Sequence, residues 1–393
     1  MGKHNLPLTA AAETPDIVLF GIFRSWGGTY RRLLNQIHVW LAMGLRVELV
    51  TFRDGEMFYP EEVPPAVRLV HLGTSHRLPT ILALWRYLRR RRPPVILSVN
   101  HISNMVLART GYLPGLRTRR YLSVPNTFGQ SEKRADSPRK RERKFREIRK
   151  VYPCSHGVIA VSDGVRDDLR DNVGLTGVHI ERIYSGSVAP GNLARAKEPV
   201  EHPWLVNKEL PVVLSVGRLV PQKDYAMLLR AFARVVRQRP ARLLILGEGR
   251  ERPTLENLAE ELGISQWVDM PGFAGNPYAY MARADVFALS SRWEGLVNVV
   301  MEALGVGTPV VSTDCPSGPR EILADGRYGI LVPMQDDRAM AAGILKVLRG
   351  EAPQFDYAEA VRPFMAETAA RAYLDFFGLS PRCKPAESER AVP

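Results

Sequence analysis

The stretch Ser290-Ser-Arg-Trp-Glu294-Gly-Leu-Val-Asn-Val-Val-Met-Glu302-Ala-Leu directly follows Val286-Phe-Ala-Leu289, an apolar run typical of a buried strand. Gly295 permits close backbone approach, and the apolar residues after it predict a helix whose positive N-terminus faces the space beyond the strand. Glu294 is expected in the loop and Glu302 about two turns into the helix. At 1.5 Å per residue this separates them by roughly 10 Å. Other glutamate pairs share the spacing, so the strand, glycine and helix around it mark this stretch.

Strands and helices alternate on both sides of this stretch. In the second half, predicted strands are 211–216, 242–246, 268–270, 286–289, 310–312 and 330–332, with helices near 224–238, 252–262, 278–282 and after 294. In the first half, predicted strands are 17–22, 46–51, 67–72, 95–99, 120–124 and 157–161, with a helix at 30–43. This alternation predicts an α/β fold of two Rossmann-like, doubly wound parallel-sheet domains. Ligands of such sheets bind beyond the carboxyl ends of the strands, here in a cleft between the domains.

The composition changes along the chain predict its domain boundaries. An N-terminal domain is expected at 1–188 and a C-terminal domain at 210–362. Between them, 189–209 is rich in Pro, Gly and charged residues, as linkers are. A C-terminal helix is predicted at 363–378, and the Pro-rich, charged tail 379–393 is expected to be disordered.

The positive charge is confined to the first half. Residues 1–200 hold 32 Lys and Arg against 17 Asp and Glu, a net charge of +15, while the remainder holds 22 against 24, a net charge of −2. This asymmetry indicates an anionic partner for the N-terminal domain. Two stretches, 85–92 and 131–150, combine arginine or lysine with aromatic residues, which suits an anionic membrane surface. Alternatively these runs are solvated faces. No nucleic-acid-binding module accompanies them, so nucleic acid is not predicted as a partner.

Cysteine usage and apolar runs bear on the compartment. Cys154, Cys315 and Cys383 are odd in number and far apart, which suits a reducing compartment and gives no disulfide framework. No apolar run reaches the length of a membrane span, and Glu13 just before the first strand argues against a signal peptide. The expected location is the cytoplasm, peripherally on the inner face of the cytoplasmic membrane.

Two further segments also follow predicted strands, Ser215-Val-Gly217-Arg218-Leu-Val-Pro-Gln-Lys223-Asp and Leu246-Gly-Glu-Gly249. Gly217 lets the chain turn closely, and Arg218 and Lys223 place two cations at the strand exit. A diphosphate leaving group needs such charges, especially without a metal ion. Taken singly, the cations could be solvated surface charges and the glycine-rich segment an ordinary turn.

Taken together and in order, the three segments resemble the retaining GT-B glycosyltransferases of family 4. The resemblance continues through 305–312, 317–323 and 325–333, so that it covers 211–350. In the first half it is looser and rests on Gly27 and Gly28 before a helix and on 161–165. It implies a late helix that crosses back to the N-terminal domain.

The resemblance also implies roles for individual residues. As catalytic residues, Arg218 and Lys223 would hold the donor diphosphate and Glu294 the transferred sugar, while Glu302 would hold the ribose hydroxyls. The implied donor-binding set is Gly217, Gly247, Gly295, Leu296 and Glu302.

The reaction implied is front-face departure of the nucleoside diphosphate with retention of anomeric configuration. Charge develops on the leaving group, so cations and a helix N-terminus would supply most of the catalysis. No Asp-x-Asp motif lies at a suitable strand end, and Asp336-Asp337 is expected to start a helix. We therefore predict metal independence and no cofactor.

The acceptor side departs from the family pattern. Many relatives place a histidine after a middle strand of the first domain, where this chain has Ser123-Val-Pro-Asn126-Thr127-Phe. Asn126 and Thr127 are candidates for a positioning role. Gly27 and Gly28, which precede the first helix, are also assigned to the acceptor side. His101 is the other candidate, or else a hydrogen-bonded structural residue.

The expected function is transfer of a hexose or N-acetylhexosamine from a nucleotide diphosphate sugar, with UDP favoured, to a lipid-linked or polysaccharide acceptor in cell-envelope glycan synthesis. Two alternatives stay open. A non-hydrolysing sugar-nucleotide epimerase would leave the basic first half unexplained. A non-catalytic GT-B scaffold at the membrane predicts a donor site that lacks essential groups. A dehydrogenase is disfavoured because no Gly-x-Gly-x-x-Gly follows the first strand.

Overall fold

The computed structural model describes residues 13–23, 28–52, 63–129 and 137–382. They form two compact units, each described by itself below. Unit 1 contains the described residues up to Val161, together with Val165–Gly186 and those from Ala366 onward. Unit 2 contains Ser162–Gly164 and Ser187–Met365.

Unit 1 is built on a parallel sheet with the strand order β3-β2-β1-β4-β5-β6-β7. Its strands are β1 Ile17–Gly21, β2 Val47–Thr51, β3 Arg68–His71, β4 Val95–Ser98, β5 Arg119–Val124, β6 Gly157–Ala160 and β7 Ile180–Arg182. The strands between the edges are mostly buried apolar runs, as expected for a parallel sheet covered on both faces. The sequence did not predict β7, whose three residues include two charged ones.

The sheet of unit 2 is also parallel, with the order β10-β9-β8-β11-β12-β13. Its strands are β8 Val212–Val216, β9 Arg242–Leu246, β10 Val268–Gly272, β11 Val286–Leu289, β12 Val310–Thr313 and β13 Ile330–Val332. Strand order runs outward in one direction from β8 to β10 and in the other from β11 to β13. The neighbours β8 and β11 therefore flank the topological switch point, where doubly wound sheets bind their ligands.

Helices connect the strands of both sheets. In chain order they are α1 Gly28–Ala42, α2 Arg77–Arg91, α3 His101–Arg109, α4 Pro138–Val151, α5 Asp163–Asp167, α6 Pro190–Ala194, α7 Pro203–Val206, α8 Tyr225–Val236, α9 Arg252–Glu261, α10 Pro277–Met281, α11 Asn298–Gly305, α12 Pro319–Ile322, α13 Asp337–Leu348, α14 Tyr357–Val361 and α15 Ala366–Phe377. In the part of the chain that the structure describes, none of them is long and apolar enough to cross a lipid bilayer.

The C-terminal helix α15 belongs to unit 1, where it packs on α1. The Trp40 indole N–H donates to the carbonyl of Ala370 over 3.2 Å, and the Trp40 and Tyr373 rings meet edge to face. Beyond the helix, the backbone N–H of Arg382 donates to the Met43 carbonyl over 3.0 Å. Residues up to 382 are thus anchored on unit 1, although the tail was expected to be disordered from 379. The rest of that tail, including Cys383, lies outside the described residues.

The segment 189–209, expected to be a linker, is folded onto unit 2. It contains α6 and α7, and Asn276 donates to the Arg195 carbonyl over 2.9 Å. His202 Nε2 lies 3.0 Å from Asp269 Oδ2. Two of the prolines that suggested a linker, Pro190 and Pro203, stand in the first turns of α6 and α7, where a missing N–H leaves no hydrogen bond unmade.

Candidate active site

The three segments predicted to form the donor site meet at one edge of unit 2. Gly217 follows β8, Gly247 follows β9 and Glu294 lies in the loop after β11. Because β8 pairs with both β9 and β11 in parallel, the carboxyl ends of these strands are neighbours. The three segments therefore lie at the switch point of the sheet, beyond the carboxyl ends of the strands where the sequence analysis expected a ligand.

Lys223 and Glu294 form an ion pair that is almost closed off from solvent. Lys223 Nζ lies 2.7 Å from Glu294 Oε1, and the two side chains are 15% and 8% exposed. The hydroxyl of Ser291 donates to the same oxygen over 2.7 Å, and the amide of Gln222 donates to Oε2 over 3.3 Å. Three donors thus fix the carboxylate in place. Ser291 and Gln222 were not predicted as site residues, although both stand inside the segments that the sequence singled out.

The loops after β8 and β11 are joined by a second set of contacts. The Ser290 hydroxyl donates to the Lys223 carbonyl over 2.6 Å, and the backbone N–H of Arg292 donates to the Gln222 carbonyl over 2.8 Å. The Arg292 guanidinium also pairs with the buried carboxylate of Asp224. These bonds fix the backbone of both loops that carry the Lys223–Glu294 pair. The distance between the two side chains is therefore set by contacts within unit 2.

Two glycines allow this close approach. Gly247 has a φ of +141°, and an alanine Cβ there would overlap the Gly217 carbonyl oxygen. At Gly217, a Cβ would lie 2.9 Å from the Tyr225 hydroxyl and 3.1 Å from Lys223 Cε. Any side chain at either position would therefore push on the segment that carries Lys223.

Arg218 differs from Lys223 in its surroundings. Its side chain is exposed, and within the described ranges it has neither an ion pair nor a side-chain hydrogen bond. It stands next to Gly217, at the same strand exit. The site edge therefore offers one cation that is neutralised by a carboxylate and one that is available to an anion.

Glu302 lies in the first turn and a half of α11. The prediction of two turns was wrong because the helix begins at Asn298: Val297 is extended, with φ −91° and ψ 91°. Glu302 is 5% exposed, and the Tyr278 hydroxyl from α10 donates to its Oε1 over 3.1 Å. Tyr278 was missed, because one aromatic in a short helix is indistinguishable from core packing in the sequence.

The backbone between the two glutamates is held as well. The Gly295 carbonyl accepts a hydrogen bond from the Ser317 hydroxyl over 2.6 Å. Gly295 is buried and Leu296 half-buried. The loop after β12 therefore fixes the backbone at Gly295 and Leu296, which the sequence predicted to face the donor.

On unit 1, the acceptor-side candidates gather at the ends of β4 and β5, which pair in parallel. His101 begins α3, its Nδ1 lies 3.2 Å from the Tyr152 hydroxyl, and its ring lies edge to face against Phe128. Asn126 is exposed and Thr127 buried in the same loop as Phe128. The structure thus brings His101 beside the loop from which the family histidine is missing.

The N-terminal glycines can be placed only in part. Gly28 begins α1, which follows β1. Gly27 lies outside the described residues. β1 pairs with β4 in parallel, so the start of α1 faces the same edge of the sheet as His101.

The environment of His101 disfavours its protonated form. Its pKa is lowered from 6.5 to about 4, chiefly by burial and then by the nearby cation Lys144, with smaller lowering from Arg77 and Arg109 and an opposing contribution from Glu147. The imidazole is therefore neutral at pH 7, as a hydrogen-bond acceptor or general base must be.

This environment predicts a pH-dependent stability. An ordinary His pKa of 6.5 in the unfolded chain, against about 4 in the folded one, means that the unfolded state binds the proton first as pH falls. Stability from this group is complete above pH 6.5 and is lost towards pH 4, by about 2 kcal/mol at pH 5. Urea unfolding at pH 7 and pH 5 should show this loss in the wild type but not in His101→Gln. Equal losses in both proteins would contradict it.

Across 13–23, 28–52, 63–129 and 137–382, no three His, Cys, Asp or Glu side chains are grouped so as to hold a metal ion. The carboxylate of Asp336 caps α13, accepting from the N–H groups of Arg338 and Ala339 over 3.0 and 2.9 Å. The expectation that Asp336 and Asp337 start a helix is confirmed. Metal independence itself stays a prediction.

The chain folds into two doubly wound units, and three loops meet at the carboxyl edge of the second sheet. Comparison with known protein families identifies the class to which such a chain belongs. The family model described as Glycosyltransferase Family 4 matches residues 26–187. The model described as Glycosyl transferases group 1 matches residues 197–363. The chain therefore belongs to the group 1, family 4 type glycosyltransferases, and its fold is GT-B.

Curated relatives and solved structures agree with this assignment. The chain is 34% identical over 201 residues to N-acetylgalactosamine-N,N'-diacetylbacillosaminyl-diphospho-undecaprenol 4-alpha-N-acetylgalactosaminyltransferase of Campylobacter jejuni, covering 51% of this chain and 53% of that protein. It is 35% identical over 178 residues to the lipopolysaccharide core biosynthesis glycosyltransferase LpsE of Rhizobium meliloti, covering 44% and 51%. The match thus spans about half the length of these relatives. The structure of Anabaena HepE in complex with UDP and glucose has a TM-score of 0.74 to this chain at 18% identity, covering 93% of this chain and 99% of that one. At this identity the likeness supports the fold and nothing further.

Proposed function

We propose that this chain transfers a hexose or N-acetylhexosamine from a UDP-sugar to a lipid-linked or polysaccharide acceptor in cell-envelope glycan synthesis, with retention of configuration. The observation that carries the proposal is the Lys223–Glu294 pair at the switch point of unit 2, with the unpaired Arg218 beside it. A scaffold has no need of a Lys–Glu ion pair whose carboxylate accepts from two further side chains at this edge.

The charges of the site suit departure of a nucleoside diphosphate. Arg218 supplies a cation for the diphosphate directly, and Lys223 shares its charge between Glu294 and the leaving group. The N-terminus of α11 adds partial positive charge on the same side. Because these groups act on charge that grows as the sugar–phosphate bond breaks, they lower the barrier more than they tighten ground-state binding.

The two glutamates hold the two ends of the donor. Glu294 accepts hydrogen bonds from hydroxyls of the transferred sugar, and Glu302 accepts them from the ribose. Tyr278 donates to Glu302 Oε1, which orients the carboxylate. Neither role needs a metal ion, which supports the proposal of a metal-independent reaction without a cofactor.

The choice of substrates rests on the named similarities. HepE was solved with UDP and glucose, and the name of the Campylobacter jejuni relative specifies a diphospho-undecaprenol acceptor. These names support UDP as the nucleotide and a lipid-linked acceptor here. We assign acceptor binding to unit 1, at the edge that carries His101, Asn126, Thr127 and the start of α1. There a neutral imidazole can accept a proton from the incoming hydroxyl. A lipid-linked acceptor is consistent with action at the inner face of the cytoplasmic membrane, which we include in the proposal. No nucleic-acid partner is proposed.

The test is a transfer assay with a panel of UDP-sugars and undecaprenyl-diphosphate glycans, in EDTA, with the product anomer assigned by NMR. Product of unchanged anomeric configuration is expected. An inverted product would contradict retention, and activity lost to EDTA and restored by Mg²⁺ or Mn²⁺ would contradict metal independence. Conversion of the UDP-sugar without any acceptor would instead favour an epimerase, and no turnover with any substrate would favour the scaffold.

A further inference from the structure

Helix α2 carries an outward stripe that is apolar at one end and cationic at the other. Leu78, Leu82, Arg86 and Arg90 recur every four residues and so lie on one side of the helix. Leu78 is 74% exposed and Leu82 43% exposed, although core leucines fill the opposite side. The stripe therefore offers a lipid surface two apolar side chains followed by two cations.

Helix α4 presents a strongly basic face. Its apolar side, Phe145, Ile148 and Val151, is buried in unit 1. Its exposed residues include five cations, Arg139, Lys140, Arg143, Arg146 and Lys150. The helix is thus amphipathic, with its apolar side packed on unit 1 and its basic side left in solvent, where it can meet an anionic surface.

Ion pairs place the two helices on the same side of unit 1. Arg77, next to Leu78, donates to the Glu147 carboxylate of α4 over 3.1 Å. Arg109 of α3 pairs with the same carboxylate. Tyr112, 57% exposed, donates its hydroxyl to the Lys150 carbonyl over 3.1 Å and adds an amphipathic aromatic to this side.

We infer that this side of unit 1, the α2–α4 surface formed by Leu78, Leu82, Arg86, Arg90 and the five exposed α4 cations, docks on an anionic lipid bilayer. Leu78 and Leu82 enter the boundary between headgroups and acyl chains, and the cations lie against lipid phosphates. This explains why the excess positive charge belongs to the first half of the chain. The inference deepens the proposed function by naming the membrane-facing surface, but it stands on unit 1 alone.

The experiment is co-sedimentation of the full chain with phosphatidylcholine vesicles, with and without 30 mol% phosphatidylglycerol. Wild-type protein should partition at least about tenfold more strongly into the anionic vesicles, and less so as salt rises. Arg143→Glu/Arg146→Glu should lose about tenfold of that partitioning. The matched control is Arg237→Glu/Arg239→Glu, which makes the same charge change at exposed positions of unit 2 and should stay within twofold.

A second pair of variants tests the apolar end. Leu78→Ser/Leu82→Ser should weaken anionic-vesicle binding by about fivefold, with an unchanged circular-dichroism spectrum and urea unfolding midpoint as proof of folding. The inference is overturned if the leucine pair has no effect, if the unit 2 control loses as much as the α4 variant, or if neutral vesicles bind equally. Tighter binding to single-stranded RNA than to anionic vesicles would assign the surface to nucleic acid. Because vesicle binding needs no turnover, it can hold or fail independently of the transfer assay.

Discussion

Replacing Lys223 with alanine is expected to lower kcat by about 10²–10³-fold while KM for the donor rises by much less. The ammonium group lies 2.7 Å from Glu294 Oε1 in a site with little solvent. Once the ammonium is removed, water therefore cannot stabilise negative charge there to the same extent. Its largest effect comes when the leaving diphosphate gains charge, and that effect appears in kcat. Steady-state kinetics with a UDP-sugar donor would measure both constants.

A structural role for Lys223 is separable from the catalytic one. Removing Lys223 alone leaves the Glu294 carboxylate without its cation and should destabilise the protein by about 3 kcal/mol. The double variant Lys223→Ala/Glu294→Ala should regain most of that stability and none of the activity. Lys208→Ala breaks another lysine–carboxylate pair of unit 2, with Nζ 2.9 Å from Asp285, and should stay within twofold of wild-type kcat. A Lys223→Ala enzyme within threefold of wild-type kcat would contradict its role on the leaving group.

Gly247→Ala is expected to destabilise the protein by about 3 kcal/mol or more and to abolish donor binding. The φ of +141° is strained for any residue with a Cβ, and the added Cβ would overlap the Gly217 carbonyl oxygen. Relief requires the loop after β8 to move, and that loop carries Arg218 and Lys223. Urea unfolding and calorimetry with UDP would measure the two effects.

The matched control for this substitution is Gly307→Ala. Gly307 also has a positive φ, +84°, but a Cβ there would meet no atom within 4 Å. It should cost only about 1 kcal/mol, the price of a left-handed backbone, and leave UDP binding unchanged. If both variants lose equal stability, the close contact between the loops after β8 and β9 is not what requires glycine at 247.

The parts of the site that the sequence predicted are those that depend on chain order. Each loop follows an apolar strand, and parallel pairing brings the ends of such strands to one edge, so Gly217, Gly247 and Glu294 could be placed together without coordinates. Their side-chain partners could not. That Lys223 meets Glu294 depends on the path of two loops, and the extended Val297 shifts the start of α11 by three residues.

Other features depend on packing between segments that are distant in the chain. Tyr278 reaches Glu302 across 24 positions, and nothing in a short helix distinguishes it from a core aromatic. The 189–209 segment has the composition of a linker, yet His202 and Asp269 fasten it to unit 2. The exposed leucines of α2 could not be recognised either, since the sequence alone cannot say which apolar residues of a helix stay in solvent.

The central claim is that the edge of unit 2 between β8 and β11 binds a nucleoside diphosphate without metal, with Glu302 on the ribose. It is tested most directly by titrating UDP, GDP and ADP calorimetrically in EDTA against the wild type, Glu302→Ala and the exposed control Glu260→Ala. We predict that UDP binds most tightly of the three nucleotides and that Glu302→Ala weakens UDP binding by roughly 1–3 kcal/mol. Tyr278→Phe should weaken UDP binding by about fivefold. Glu260→Ala should leave the UDP affinity unchanged. Absence of binding by all three nucleotides, or equal UDP affinity in the wild type and Glu302→Ala, would contradict the claim.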